Sequence, residues 1–121
     1  MAKKITKTNP MLIALIHELK IEANLNDAPI WKDIAIRLEK PSKNWSEVNL
    51  DRISKYTREK ETALIPGKVL SNGDLTKKVT IAAWSFSEKS KEKIKQAGGK
   101  SITIQELMKD NPDGKNIRIL G

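Results

Sequence analysis

Among side chains that ligate metals or act as nucleophiles near neutral pH, this sequence holds one histidine, His17, and no cysteine. Disulfides, thiolate metal sites and cysteine nucleophiles are therefore excluded. A metal site made of carboxylates alone would need them clustered at ligand spacing, and the Asp and Glu residues show no such cluster. His17 reads as a surface or satisfied helix histidine. Pro66-Gly67-Lys68 has the ending of a phosphate-cradling loop, but that pattern needs glycine at Thr62 and Ser or Thr at Val69, so it fails twice. No G-x-G-x-x-G is present, and no serine is favoured for a Ser-His-Asp arrangement. These residues argue against an enzyme and call for no cofactor.

The chemistry that remains is charge. The 121 residues carry 23 Lys and Arg against 15 Asp and Glu, a net charge of +8. A balance this basic calls for a polyanionic partner. Along the chain the excess is even: eight cations against five anions in residues 1–45, seven against five in 46–81, and eight against five in 82–121. Even spreading predicts many phosphate contacts from several directions rather than one reading helix. Nineteen of the cations are lysine and four arginine, which suits point contacts with phosphate better than bidentate reading of bases.

Five clusters carry this charge. They are Lys3, Lys4 and Lys7; Arg37, Lys40 and Lys43; Lys77 and Lys78; Lys89 and Lys93 with Lys91 and Lys95; and Lys115 with Arg118. Lys68 adds a further cation. Any one cluster alone reads equally as solvated surface. Only five aromatic residues occur, so the aromatic strand of an RRM is absent. Trp31 and Trp84 lie in apolar patterns and read as core. Trp45, beside Lys43 and Asn44 in a polar loop, is the best candidate for stacking on a base, with core anchoring as the competing role.

These side chains need elements to position them, and 121 residues suit a single domain. Residues 1–8 read as a flexible basic arm, and residues 9–121 as the domain. Asn9-Pro10 predicts a helix start, with Leu12, Ile16, Leu19 and Ala23 on its apolar stripe. A second helix is expected from Ala28-Pro29 to Lys40, burying Trp31, Ile34, Ala35 and Leu38. Val48–Ile53 is ambiguous between strand and helix. Thr62–Leu70 predicts a strand with a bend or edge position at Pro66-Gly67. Asn72-Gly73 predicts a hairpin joining Lys68–Leu70 to a strand over Leu75–Trp84. Ser87 caps a helix that Gly98-Gly99 stops, with Lys89 and Lys93 on one flank of its apolar strip and Lys91 and Lys95 on the other. Thr103 and Glu106 form a capping-box pattern, and Ile117–Leu120 predicts a last strand. Ile102–Leu107 echoes Val48–Ile53 in residue type, as though both were strand ends turning into capped helices. The N-terminus lacks a signal-peptide layout and no apolar run is long enough to span a membrane, so a soluble, cytoplasmic chain is expected, with no membrane partner.

Beyond these patterns the sequence resembles the archaeal and eukaryotic ribosomal protein eighteen-e family. The matching residues include Thr8-Asn9-Pro10, Ala28-Pro29-Ile30-Trp31, Lys40-Pro41, Asn44-Trp45 and Glu47-Val48-Asn49-Leu50. They continue through Pro66-Gly67-Lys68-Val69-Leu70, Lys77-Lys78-Val79, Phe86-Ser87, Ala97-Gly98-Gly99, Asn111-Pro112 and Ile117-Arg118-Ile119. The likeness runs in order through nearly the whole chain, and the length resembles the archaeal form. That family is related to bacterial ribosomal protein fifteen, most clearly over Lys68–Gly99. The resemblance implies an α/β fold, N-terminal helices followed by an irregular superhelix of β-β-α turns. It also implies binding to large-subunit ribosomal RNA beside other ribosomal proteins, as a monomer when off the ribosome. Ser71 departs from a usual glycine and Ser90 from a usual alanine, which puts local turn geometry in question. Charge and position, not a family motif, select the expected RNA contacts: Lys3, Lys4, Lys7, Arg37, Lys40, Lys43, Asn44, Trp45, Lys68, Lys77, Lys78, Lys89, Lys93, Lys115 and Arg118. From charge alone, the alternative is a sequence-tolerant DNA-binding or chromatin protein.

Overall fold

A computed structural model describes residues 9–58 and 60–121. The arm expected over residues 1–8 lies outside them. Asn9 opens α1 (Pro10–Leu25) as expected: its Oδ1 accepts from the Met11 and Leu12 amides, filling two of the donors a helix start leaves free. Helix α2 (Pro29–Glu39) buries Trp31, Ile34, Ala35 and Leu38, and the Trp31 Nε1 donates to the Pro112 carbonyl at 2.8 Å.

Strands and helices then alternate: β1 (Ser46–Asn49), α3 (Leu50–Tyr56), β2 (Thr62–Leu70), β3 (Thr80–Phe86), α4 (Glu88–Gln96), β4 (Lys100–Thr103), α5 (Ile104–Asp110) and β5 (Ile117–Ile119). Every strand pairing is parallel. The order across the sheet is β1-β2-β3-β4. On the outer side of β2, β5 pairs with its first residues, Thr62–Leu64, and β1 with its last, Gly67–Leu70. The bend expected at Pro66-Gly67 falls in the gap between those two partners, where the β2–β3 register also shifts. Proline is tolerated there because no neighbour asks for its missing N–H. A Cβ on Gly67 would sit 2.1 Å from the Ser46 carbonyl oxygen, so only glycine lets β1 approach. An edge position is not what the strand adopts: β2 is central.

The hairpin expected at Asn72-Gly73 is absent, and β3 begins at Thr80 rather than Leu75. β2 and β3 run parallel, with Thr62 opposite Thr80, so residues 71–79 must return the full length of β2. Nine residues reach about 30 Å when extended, roughly the length of a nine-residue strand. The connection is therefore drawn nearly straight, and α3 holds it. The Asp51 amide donates to the Asn72 carbonyl at 3.2 Å, Ser54 Oγ meets Thr76 Oγ1 at 2.9 Å, and Lys77 Nζ donates to the Thr57 carbonyl at 3.0 Å. Gly73 does turn, at φ +83°, but it packs its Cα against Asp51 instead of joining two strands.

The sheet is covered on both faces. One core gathers α1, α2 and α5 over Leu64 and Ala82; the other gathers α3 and α4 over Ala63, Ile65, Ile81 and Ala83. The strands read as unbroken apolar runs for this reason, and Ala82, which alternation assigns to a polar face, is fully buried. Among the described residues no helix is long and apolar enough to cross a membrane.

The family departures fit this frame. Ser90 is fully buried, and its Oγ donates to the Ser87 carbonyl at 2.7 Å and the Val69 carbonyl at 3.3 Å, so the hydroxyl is satisfied where alanine would have none. Ser71 is not among the residues with positive φ and needs no glycine.

Candidate nucleic-acid interface

In three dimensions the even charge of the sequence separates into layers. The α3 layer, with residues 50–58, 60–61, 71–79 and 87–99, carries ten Lys/Arg against five Asp/Glu. The opposite layer, with residues 9–40 and 104–116, carries six against eight. Folding brings Arg52, Lys55, Lys77, Lys78 and the α4 lysines, distant in sequence, to one side of the sheet.

Within this layer α4 is built to display its cations. Ser87 Oγ accepts from the Ser90 amide, and the helix ends with Gly98 at φ +81°, its amide bonded to the Lys95 carbonyl and the Gly99 amide to the Ile94 carbonyl. That pair of bonds needs a left-handed residue. Ser90 and Ile94 face inward, so Lys89 and Lys93 fall toward one concavity and Lys91 toward another, as the helical spacing predicts. The first, about 600 Å³, lies at the carboxyl ends of β1, β2 and β3 and is lined by Asn49, Asn72, Lys89, Glu92, Lys93 and Gln96. Lys93 is partly spent on architecture: its Nζ donates to the Ser71 and Gly73 carbonyls at 2.9 and 3.0 Å. Lys77, though exposed, is likewise engaged at the end of α3, while Lys78 and Lys68 are exposed without such a bond to that helix.

Helix α3 adds residues that the sequence reading did not select. Leu50, Ile53 and Ser54 are buried, which turns Arg52, Lys55 and Tyr56 outward. Tyr56 is 50% exposed, with Lys55 Nζ 5.3 Å from its ring centroid. A half-exposed aromatic ring among cations can serve as a stacking platform. The signal was a three- and four-residue spacing around Ile53, hidden by the strand-or-helix ambiguity of that segment.

A second group forms elsewhere. Arg37, Lys40, Asn44 and Trp45 line a concavity of about 220 Å³ with Ser46, Pro66 and Gly121. Here Arg37 and Trp45 already hold partners within the chain. Arg37 Nε meets Asp33 Oδ1 at 3.3 Å while its Nη1 donates to the Gly121 carbonyl. Trp45 Nε1 donates to the Lys40 carbonyl at 3.0 Å, and its ring stands edge-on to Trp84 at 6.0 Å, packed against the α1–α2 core. Lys43 is exposed in the 3-10 turn Ser42–Asn44. Lys115 is exposed near β5, its backbone bonded to the Asn111 side chain. Arg118 Nη2 lies 3.2 Å from Glu61 Oε2. Glu61 also accepts from the Arg58 amide at 2.7 Å; that bond, and then Arg118, hold its carboxyl below the ordinary value of 4.5. Lys3, Lys4 and Lys7 lie outside the described residues. His17 is exposed, and among the described residues no three His, Cys, Asp or Glu stand where they could hold a metal ion.

Comparison with known proteins finds relatives along the whole chain. A family model described as "Ribosomal protein 60S L18 and 50S L18e" matches residues 1–121. Three curated relatives, each named large ribosomal subunit protein eL18, are similar over nearly their full length. That of Methanococcus maripaludis is 50% identical over 118 residues, 98% of each chain. Those of Methanoregula boonei and Methanothermobacter thermautotrophicus are 48% and 46% identical over 120 residues, 99% of each chain. With a basic helical layer on a parallel sheet and likeness along its whole length, this chain belongs to the ribosomal protein 60S L18 and 50S L18e family.

Proposed function

We propose that this chain is a structural, non-catalytic constituent of the large ribosomal subunit in the cytoplasm, and that it binds ribosomal RNA through the layer formed by α3, residues 71–79 and α4. The observation that carries the reading is the separation of charge between the two helical layers. The names of its full-length relatives support the ribosomal part. Lys55, Lys78, Lys89 and Arg52 serve as phosphate contacts, Tyr56 as a stacking surface, and Lys68, on the other face of β2 from Val69, adds a separate exposed cation. Lys77 and Lys93 act first as clamps on the 71–79 connection, adding positive potential from partly covered ammonium groups. Lys3, Lys4 and Lys7 form a basic arm that joins the RNA contact. Arg37, Lys40, Lys43, Asn44, Trp45, Lys115 and Arg118 contribute less, since many of their polar groups already hold partners within the chain. Off the subunit the protein is a monomer.

Co-sedimentation with large subunits, lost on RNase treatment, tests the ribosomal part. For the isolated protein, neutralising ~6 phosphates lowers RNA affinity on the order of a thousandfold between about 50 and 200 mM salt. Affinity flat with salt would exclude phosphate contact. Equal affinity for duplex DNA of unrelated sequence, with no co-sedimentation, would favour the chromatin alternative.

A further inference from the structure

The outer face of α1 carries a second apolar stripe that the fold does not use. Met11, Ala14, Glu18, Ile21 and Leu25 follow 3-4-3-4 spacing and, at about 100° per residue, share an arc of roughly 80°. They lie on the far side of the helix from Leu12, Leu15, Ile16, Leu19 and Ala23, which pack into the core. Met11, Ile21 and Leu25 are 71%, 55% and 73% exposed, three of the five large apolar side chains exposed among the described residues. One buried stripe is enough to seat a surface helix. A second, at the spacing of a helix-pairing seam, is a surface that gains by being covered.

The charge around it selects what covers it. Glu18 interrupts the stripe and Glu22 borders it, while Lys20 is turned to Glu39 at 2.9 Å. Residues 9–40 are net negative, four Lys/Arg against five Asp/Glu, in a chain of net charge +8. RNA phosphates are disfavoured there, and a basic surface is favoured. A second copy of this chain fits poorly. Glu18 is the midpoint between Met11 and Leu25, so symmetric pairing of the stripes, parallel or antiparallel, sets Glu18 against Glu18.

We propose that this stripe docks an amphipathic helix of a neighbouring large-subunit protein, apolar along its seam and rich in Lys and Arg beside it. The inference rests on the ribosomal reading above. It makes the chain a two-sided bridge, with RNA on the α3–α4 layer and protein on α1.

The test places a photoreactive phenylalanine analogue at Leu25, and separately at Tyr56, in the full chain assembled into large subunits. Position 25 is expected to crosslink to a basic amphipathic protein segment, and position 56 to ribosomal RNA. Adding Ile21→Asp should lower the yield from position 25 by about tenfold, because one of three exposed anchors is lost, with the yield from position 56 unchanged. Crosslinks from position 25 to RNA, to a second copy, to an acidic segment or to nothing, in subunits that contain the chain, overturn the docking proposal alone. A yield indifferent to Ile21→Asp does the same. Absence of the chain from washed large subunits overturns the ribosomal reading, and the docking proposal with it.

Discussion

The two helical layers cover the same parallel sheet with buried apolar inner faces, yet their outer surfaces differ in kind. The α3–α4 layer is strongly basic, shows one exposed aromatic ring, and is tied together by lysines clamped on backbone carbonyls. The α1–α2 side is slightly acidic and shows Met11, Ile21 and Leu25 instead. Burial is set by the sheet, which needs both faces covered. Outer chemistry is free of that demand and can differ from layer to layer.

The strictest test of equal burial is a pair of neighbouring substitutions. Leu64 faces the α1–α2 core and Ile65 the α3–α4 core, both fully buried. Leu64→Ala and Ile65→Ala should each cost about 2–5 kcal/mol in denaturant unfolding. A cost below 1 kcal/mol for either would mean that its layer is loosely seated. The outer difference is tested by charge reversal. Arg52→Glu, Lys55→Glu and Lys78→Glu together should lower RNA affinity on the order of a hundredfold at about 150 mM salt and reduce the salt slope by about 3. Lys32→Glu with Lys109→Glu, on the other side, should change affinity less than about threefold. Equal losses from the two sets would erase the distinction between the layers.

A finer contrast lies within the basic layer. Lys77 donates to the end of α3 and Lys78 is exposed. Lys77→Ala should cost about 1 kcal/mol of stability, while Lys78→Ala should stay within about 0.5 kcal/mol and weaken RNA binding several-fold. Melting curves and binding titrations of the two variants separate a clamp from a contact. The smallest expected effect is at Glu61. Its carboxyl titrates below the ordinary 4.5, held by the Arg58 amide and then by Arg118. The stabilisation is therefore complete above pH 4.5 and is lost as pH falls through the lowered value. The stability difference between the protein and Glu61→Gln should vanish on acidification through that range, and a constant difference would remove Glu61 as the titrating group.

Much of this was legible in residue types. Asn9, Ser87, Thr103 with Glu106, and Gly98 marked helix ends because caps are local hydrogen-bonding chemistry, and each sits as its type requires. The echo between Val48–Ile53 and Ile102–Leu107 was real: each is a strand end turning directly into a helix, β1 into α3 and β4 into α5. Even so, Asn49 does not cap α3, because its Oδ1 accepts from the Asn72 amide. The expected hairpin does not form for a related reason. Asn-Gly reports a local turn, but whether the chain beyond it pairs back depends on which strand edges are open, and both edges of β2 are taken by other strands.

Residue types alone were enough for α1, α2, α4 and α5, for most helix ends and buried stripes, and for the sum of charge, because each depends on neighbours within a few residues; α3 was not among them. Tertiary structure alone decided that all strands run parallel, that the 71–79 connection stretches along α3, and that evenly spaced lysines collect on one side. It also decided which cations stay free: Lys77 and Lys78 are adjacent and identical, yet one reaches a helix-end carbonyl and the other solvent. Such outcomes depend on groups many residues away meeting in space, and no pattern of nearby residues encodes that meeting.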